Sequence, residues 1–210
     1  MEKASYNTGN YDKYMTKNKL KKLMVNKLNE SIINSILDLK EKRNLESISI
    51  LDVGCGEGFI SRMVKDRIPG NQIVGIEYSI EVLEVARNLN PDITFYQGDI
   101  YNLDFNKDAF DLVICTEVLE HLQEPDKALK EIIRVASKGV IITVPNEPWF
   151  CLGNLLVLKN IRRLGNPQDH INHWTSFKFR KFILSSAEEF IFSFGKSFPW
   201  NIAIGMNEFD

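Results

Sequence analysis

Residues Ile50–Phe59 read ILDVGCGEGF: a short apolar run carrying one acid, Asp52, then glycines at every second position, Gly54, Gly56 and Gly58. A turn can close on one glycine; three at this spacing strip the chain of side chains where a strand gives way to a helix. Glycine takes positive φ without penalty and lets another molecule approach the backbone. A helix that follows presents unpaired N–H groups to it. The turn therefore reads as room for a ligand, on a domain of strand-turn-helix units.

Outward from this turn the pattern repeats. Residues 48–53, 72–77, 93–97, 110–116 and 139–144 read as strands, and 59–67, 80–89 and 125–136 as helices. Strands apolar on both faces that alternate with helices imply a parallel sheet covered on both sides. The expected fold is α/β, a doubly wound Rossmann-like sheet. Upstream, Leu20, Leu23, Met24, Leu28, Ile32, Ile36, Leu37 and Leu39 recur at helical spacing, with lysines opposite. Downstream, prolines break the alternation over 145–175. A helix carrying Leu152, Leu155, Leu156, Ile161 and Leu164 with a stop at Gly165 is expected there, then a helix over 177–187 and two strands around Gly195–Pro199. We divide the 210 residues into a helical cap (1–45), a ligand-binding core (46–144), an insert (145–175), and a C-terminal helix and hairpin (176–210), all within one domain.

The bulk composition narrows the function. With 44% hydrophobic and 26% charged residues and a formal net charge of -2, the chain has a normal core and no bulk positive field for nucleic acid or an anionic membrane, so any such partner needs a local patch. Three cysteines without ligand spacing give neither a disulfide framework nor a zinc site, and are expected as buried thiols. No apolar run is long enough to span a bilayer, so a cytoplasmic protein is expected.

Four features specify the ligand. Glu77 ends the second strand about twenty residues after the glycines, where an acid accepts from ribose hydroxyls. Asp99 follows the third strand, where a carboxylate takes an adenine amine. The glycine pattern is GxGxG, not the GxGxxG of pyrophosphate binders. Asp52 would repel a phosphate but suits an ammonium or a sulfonium. A nicotinamide reductase is disfavoured on these grounds, and GKS at Gly195 lacks the first glycine of a phosphate loop.

Together, LDVGCGEGF, GIEYS, YQGDI and FDLVICTEVLEHL resemble the successive cofactor motifs of the class I S-adenosylmethionine-dependent methyltransferases, over residues 47–144. The resemblance implies seven strands closed by an antiparallel hairpin. It implies that Asp52, Gly54 and Gly56 bind the methionine portion of S-adenosylmethionine, with Gly58 also at the cofactor, that Glu77 holds the ribose, that Tyr78 stacks near the adenine, and that Asp99 and Ile100 cap it. Thr116 and Glu117 would line the cofactor and substrate side.

Within TEVLEHL, Glu117 and His121 stand at i and i+4, one face if the segment is helical. An imidazole with an ordinary pKa of about 6.5 suits removal of a hydroxyl proton. His121 and, from DHINHWTSF, His170 are the candidate catalytic residues; His173 stands three beyond. The expected reaction is methylation, at oxygen, of a small molecule or a glycan or lipid intermediate, with no resident metal. Two alternatives stand beside it. Glu117, Glu120, His121 and His170 resemble the metal set of the RNA terminal 2′-O-methyltransferases; alternatively, the domain is a scaffold that binds an adenosyl ligand without turnover.

Overall fold

The computed structural model describes residues 13–156, 160–167, 169–187 and 189–207. Its chain order is α1 (Lys19–Lys42), β1 (Ser49–Val53), α2 (Phe59–Arg67), β2 (Gln72–Glu77), α3 (Ile80–Leu89), β3 (Thr94–Gln97), β4 (Phe110–Thr116), a 3-10 turn (Leu119–His121) and α4 (Pro125–Val135). There follow β5 (Ala136–Pro145), α5 (Glu147–Leu156), a second 3-10 turn (Ile161–Arg163), α6 (Ser176–Ser186), β6 (Phe190–Ser197) and β7 (Trp200–Asn207). The strands form one seven-stranded sheet in the order β3-β2-β1-β4-β5-β7-β6. β1 to β5 run parallel, while β7 pairs antiparallel with both β5 and β6.

The order of strands reverses between β1 and β4, so the crevice lies beyond the carboxyl ends of these two. Both strands are buried on both faces. Leu51, Val53, Val113, Cys115, Ile142 and Val144 face Leu129 and Ile132 of α4 and Phe179 of α6. Ile50, Leu112, Ile114 and Ile141 face α1, α2 and α3 through Ile32, Val64 and Leu83. Each such fully buried aliphatic side chain contributes about 1.5–3 kcal/mol.

Local signals fix the helix starts. Asn18 accepts from the N–H groups of Leu20 and Lys21 at 3.0 and 3.1 Å, and Ser79 accepts from Val82 N–H at the start of α3. α4 opens on Pro125, whose missing N–H costs nothing at that position. The helix expected over 20–39 forms, but with a rotated face. Val25, Leu28, Ile32, Ile33, Ile36 and Leu39 are buried, while Leu20, Leu23 and Leu37 are exposed. The row 25, 28, 32, 36, 39 is one unbroken line at steps of three and four. The other leucines fall off it.

Two further expectations change. α5 ends at Leu156, and Ile161–Arg163 is a separate 3-10 turn bounded by Asn160 and Leu164 at positive φ, so no single helix runs to Gly165. Gly195 lies within β6, paired with Ile202, and the hairpin turns at Phe198-Pro199. Of the helical cap drawn over 1–45, residues 1–12 lie outside the described residues. Cys55 and Cys115 are buried as expected, whereas Cys151 is half-buried. No helix among the described residues is long and apolar enough to cross a membrane.

Candidate functional site

The glycine turn takes the form its spacing requires. Gly54, Gly56 and Gly58 have φ of 70°, 54° and 78°. A Cβ on Gly54 would lie 2.5 Å from Val118 Cγ2, and one on Gly58 2.7 Å from Phe95 Cζ. Any side chain there would also be strained by its backbone. Glu77 holds the turn from the neighbouring strand: its Oε2 accepts from Gly56 N–H at 3.1 Å, and its Oε1 accepts from Ser79 N–H at 3.0 Å. One carboxylate thus ties the β1 turn to the start of α3. Each oxygen keeps a lone pair for a further donor.

Asp52 is buried beneath this turn, 1% exposed. Ser61 Oγ donates to its Oδ2 at 2.6 Å, while Oδ1 has no partner among the described residues. Burial pushes its pKa up to about 6, with Glu77 adding a smaller push. Tyr78 is 74% exposed. Asp99 is also exposed; its Oδ1 accepts from Tyr101 N–H at 2.9 Å, an Asx turn, and Oδ2 is left for another donor. Ile100 is half-buried against the core. Glu77, Tyr78, Asp99 and Ile100 follow the carboxyl ends of the adjacent strands β2 and β3, on one rim of the sheet.

On the β4 side, Thr116 ends the strand and Glu117 leaves it at φ 56°. A non-glycine residue at positive φ is uncommon and persists where the surroundings hold it. Here Glu117 N–H donates to Thr143 O at 2.9 Å. The carboxylate meets Lys13 Nζ at 2.6 Å, both side chains being largely buried. Burial alone would lower the Lys13 pKa, but Glu117 outweighs it and the pKa rises. The ammonium also lies 5.1 Å from the Trp200 ring centroid and 5.3 Å from that of Tyr14, which itself stacks on Phe59 at 4.6 Å. Lys13 and Tyr14 so lie across the crevice from α2 to β7.

This corrects the helical reading of TEVLEHL. With Glu117 at positive φ and only Leu119–His121 in a 3-10 turn, Glu117 and His121 do not share a helical face. Hydrophobic spacing cannot register a single left-handed residue. The acid that does join His121 is Glu120, and the third partner is His170; one potential ligand atom from each lies within 4.8 Å of the others. The imidazoles meet edge to face, with centroids 5.0 Å apart.

Both rings are fixed at Nδ1. That of His121 is 2.9 Å from Asp169 O, and that of His170 is 2.7 Å from Glu147 Oε1. The Asp169 carboxylate also lies 3.3 Å from His121 Nδ1; a carbonyl partner requires that Nδ1 to carry a proton, so in the neutral ring Nε2 is the acceptor. Glu147 is buried and also accepts from Cys151 Sγ at 3.1 Å. Phe150 stacks on His170 at 5.6 Å. Glu120 is 1% exposed, neither of its side-chain oxygens has a partner among the described residues, and burial, then Glu117, holds its pKa well above the ordinary carboxylate range.

The insert is stitched to this place through the backbone. Ile171 and Asn172 N–H both donate to Glu120 O, and Asn172 Nδ2 donates to Leu119 O and Leu122 O. His173 goes elsewhere: it is exposed, with Nε2 against Asn166 Nδ2 at 3.2 Å. Residues that sequence reading passed over complete the site: Lys13, Ser61, Val118 and Glu147. Of these only Glu147, an acid directly after the last parallel strand, carried a usable signal.

Comparison with known proteins agrees with this geometry. The methyltransferase domain family matches residues 51–144, from β1 to the end of β5. Demethylmenaquinone methyltransferase of Renibacterium salmoninarum is 37% identical over 103 residues, covering 48% of this chain and 43% of that protein. Ubiquinone biosynthesis O-methyltransferase of Alkalilimnicola ehrlichii is 34% identical over 100 residues, covering 45% and 40%. The chain therefore spans less than half the length of these relatives. Among solved structures, the plantazolicin methyltransferase BpumL, in complex with a pentazolic desmethylPZN analogue and SAH, superposes with a TM-score of 0.74 at 16% identity, over 94% of this chain and 88% of that one. Magnesium protoporphyrin IX methyltransferase of Synechocystis, with bound SAH, gives 0.65 at 20% identity over 91% and 88%. Over residues 51–144 the chain thus carries a methyltransferase domain, and its sheet has the fold of the methyltransferases solved with SAH.

Proposed function

We propose that the protein transfers a methyl group from S-adenosylmethionine to an oxygen of a small molecule or of a glycan or lipid intermediate. The observation that carries this reading is the side-chain-free turn at Gly54–Gly58 tied down by Glu77, with the Asp52 carboxylate beneath it. A Cβ would fill this cradle, and its two acids fit a ligand that is cationic at one end. Two exposed polar groups on the same rim, Tyr78 and Asp99, fit an adenosine at the other. When bound, the cofactor supplies a methyl group activated on a sulfonium; the protein supplies alignment and excludes water.

Each residue has work that its free valences allow. The remaining lone pairs of Glu77 receive ribose hydroxyls, Asp99 Oδ2 receives the adenine amine, and the Tyr78 ring is free to lie on the base. Asp52 and Glu117 hold negative charge toward the cationic end. His121 Nε2 takes the hydroxyl proton of the acceptor, and His170 Nε2 stands beside it. The names of two relatives, one an O-methyltransferase of ubiquinone biosynthesis, support a small-molecule acceptor, as does the net charge of -2. Calorimetry with S-adenosylmethionine and S-adenosylhomocysteine, followed by labelled-methyl transfer on metabolite extracts, tests the reading. Binding without transfer to any pool would favour the scaffold; no binding would end the proposal.

A second reading is favoured by one observation, the convergence of Glu120, His121 and His170 with both histidines oriented through Nδ1. Imidazoles held in this way are the usual first partners of a divalent cation. Such an ion, with two hydroxyls of a ribose against it, is the arrangement that metal-assisted methylation of an RNA end would use. Two features weigh against it: Glu117 is engaged by Lys13, and the chain has no bulk positive charge. Titration with Co2+, read by its visible spectrum in the parent and in His170→Ala, decides the metal independently of turnover. An unchanged spectrum in both removes this reading.

A further inference from the structure

The insert carries an outward face that the transfer reaction does not use. On α5, Trp149 and Leu152 are 51% and 46% exposed, and Trp149 meets Phe198 of the hairpin turn, itself 53% exposed, at 6.1 Å. Trp149 and Leu152 stand three residues apart and so lie on adjacent turns of one face. The following loop folds back onto this helix: Asn154 Nδ2 donates to Gly165 O at 2.8 Å, and a Cβ on Gly165 would lie 2.0 Å from Cys151 O. That contact brings Ile161, 55% exposed, and Leu164, 78% exposed, beside α5.

Leu164 is the telling residue. It is an apolar side chain almost wholly in water, on a backbone at φ 52° that leucine rarely adopts. The φ has a use within the fold, since it ends the 3-10 turn and lets Gly165 N–H donate to Asn160 O at 3.0 Å. The exposed apolar side chain has none, and together with Trp149, Leu152, Ile161 and Phe198 it marks a surface for a contact outside the chain.

Charge identifies the partner. From Pro148 to Gln168 the sequence contains Lys159, Arg162 and Arg163 and no acid, in a chain whose net charge is -2. Arg162 and Arg163 stand between Ile161 and Leu164 and are exposed with them. Tryptophan, leucine and arginine in one exposed patch are the composition that settles at the headgroup level of a bilayer, apolar groups in the acyl boundary and guanidinium groups on the phosphates. We infer that this face of the insert docks on an anionic lipid surface. The opposite side of α5 carries Phe150 and Glu147, which touch His170, so docking would bring the site to the membrane. The inference does not depend on the methyl-transfer reading, because its test uses neither cofactor nor acceptor.

Trp174 and Trp200 are buried, which makes Trp149 a built-in reporter. The full chain is mixed with vesicles of phosphatidylcholine alone and of phosphatidylcholine with phosphatidylglycerol, and binding is read by flotation and by tryptophan emission. The expected result is a blue shift and binding roughly tenfold or more tighter to the anionic vesicles, weakened to the neutral level in an Arg162→Gln, Arg163→Gln variant. Leu164→Asn is the decisive control, since asparagine tolerates positive φ. It should fold at least as stably as the parent and lose binding. No binding to either vesicle, equal binding to both, or a blue shift that follows protein concentration without vesicles and so reports a second copy on the patch, each overturns the inference.

Discussion

Replacing Glu77 by glutamine probes the centre of the proposed site with the least change in shape. The carboxylate accepts from Gly56 N–H at 3.1 Å and Ser79 N–H at 3.0 Å, one on each oxygen. A glutamine keeps one acceptor and turns an NH2 toward the other N–H, so one charge-assisted bond is lost and two donors are left facing each other. Hydrogen bonds to charged groups are worth about 1.5–3 kcal/mol, and Glu77 is only partly buried, so the expected loss of stability is about 2 kcal/mol. The same change removes one lone-pair pair from the ribose and loosens the turn. It should weaken S-adenosylhomocysteine binding by about 1–3 kcal/mol, roughly 5- to 150-fold. Urea unfolding gives the first quantity and calorimetry the second. If stability falls as expected while affinity is unchanged, Glu77 is a turn anchor only and the placement of the ribose is wrong. If neither changes, the link between β2 and the glycine turn is not as described.

Three other perturbations test separate parts of the site. Gly54→Ala should destabilise by about 2–4 kcal/mol, from left-handed strain and a 2.5 Å contact with Val118; adding Val118→Ala should restore the contact share in a urea titration but not the strain. Asp52 has a folded pKa of about 6 against an ordinary 3.8, so its proton is lost first from the unfolded chain and stability should fall as pH rises from about 4 to 6, then level. Asp52→Asn should remove that fall and stabilise the ligand-free protein above pH 6 by about 1–3 kcal/mol in thermal melts, while weakening binding of the sulfonium cofactor. Lys13→Met should leave the Glu117 carboxylate without its ammonium across the crevice and change the Kd for S-adenosylmethionine, measured by calorimetry; an unchanged Kd would show that this latch lies away from the ligand.

The core of this fold was legible because a doubly wound sheet writes itself in one dimension. β1, β2 and β4 are buried on both faces, so each reads as an apolar run, and each is bounded by glycine or an acid at the carboxyl end where the crevice lies. The glycines were legible for the same reason: their requirement, positive φ and no Cβ, is local. α1 shows the limit. Eight apolar residues fit a helical period, yet which of them face the sheet depends on where the helix docks, and Leu20, Leu23 and Leu37 stay in solvent while Val25 and Ile33 are covered.

The site itself divides along the same line between local and long-range information. Glu117 and Lys13 are a salt bridge across 104 residues of chain, and no spacing rule reaches that far. Reading Glu117 with His121 as neighbours assumed a helix that one left-handed residue cancels, and the effect propagates: once Glu117 turns toward Lys13, the acid that faces His121 is Glu120. Its burial follows from the insert, because Ile171 and Asn172 donate to its carbonyl and draw His170 over its side chain. The histidines then owe their free Nε2 atoms to Asp169 and Glu147, both supplied by the insert. The proposed cofactor side is built by the sheet and its turns, and the proposed acceptor side by an excursion whose contacts are nonlocal. Sequence motifs therefore identify the methyl donor far more sharply than the acceptor.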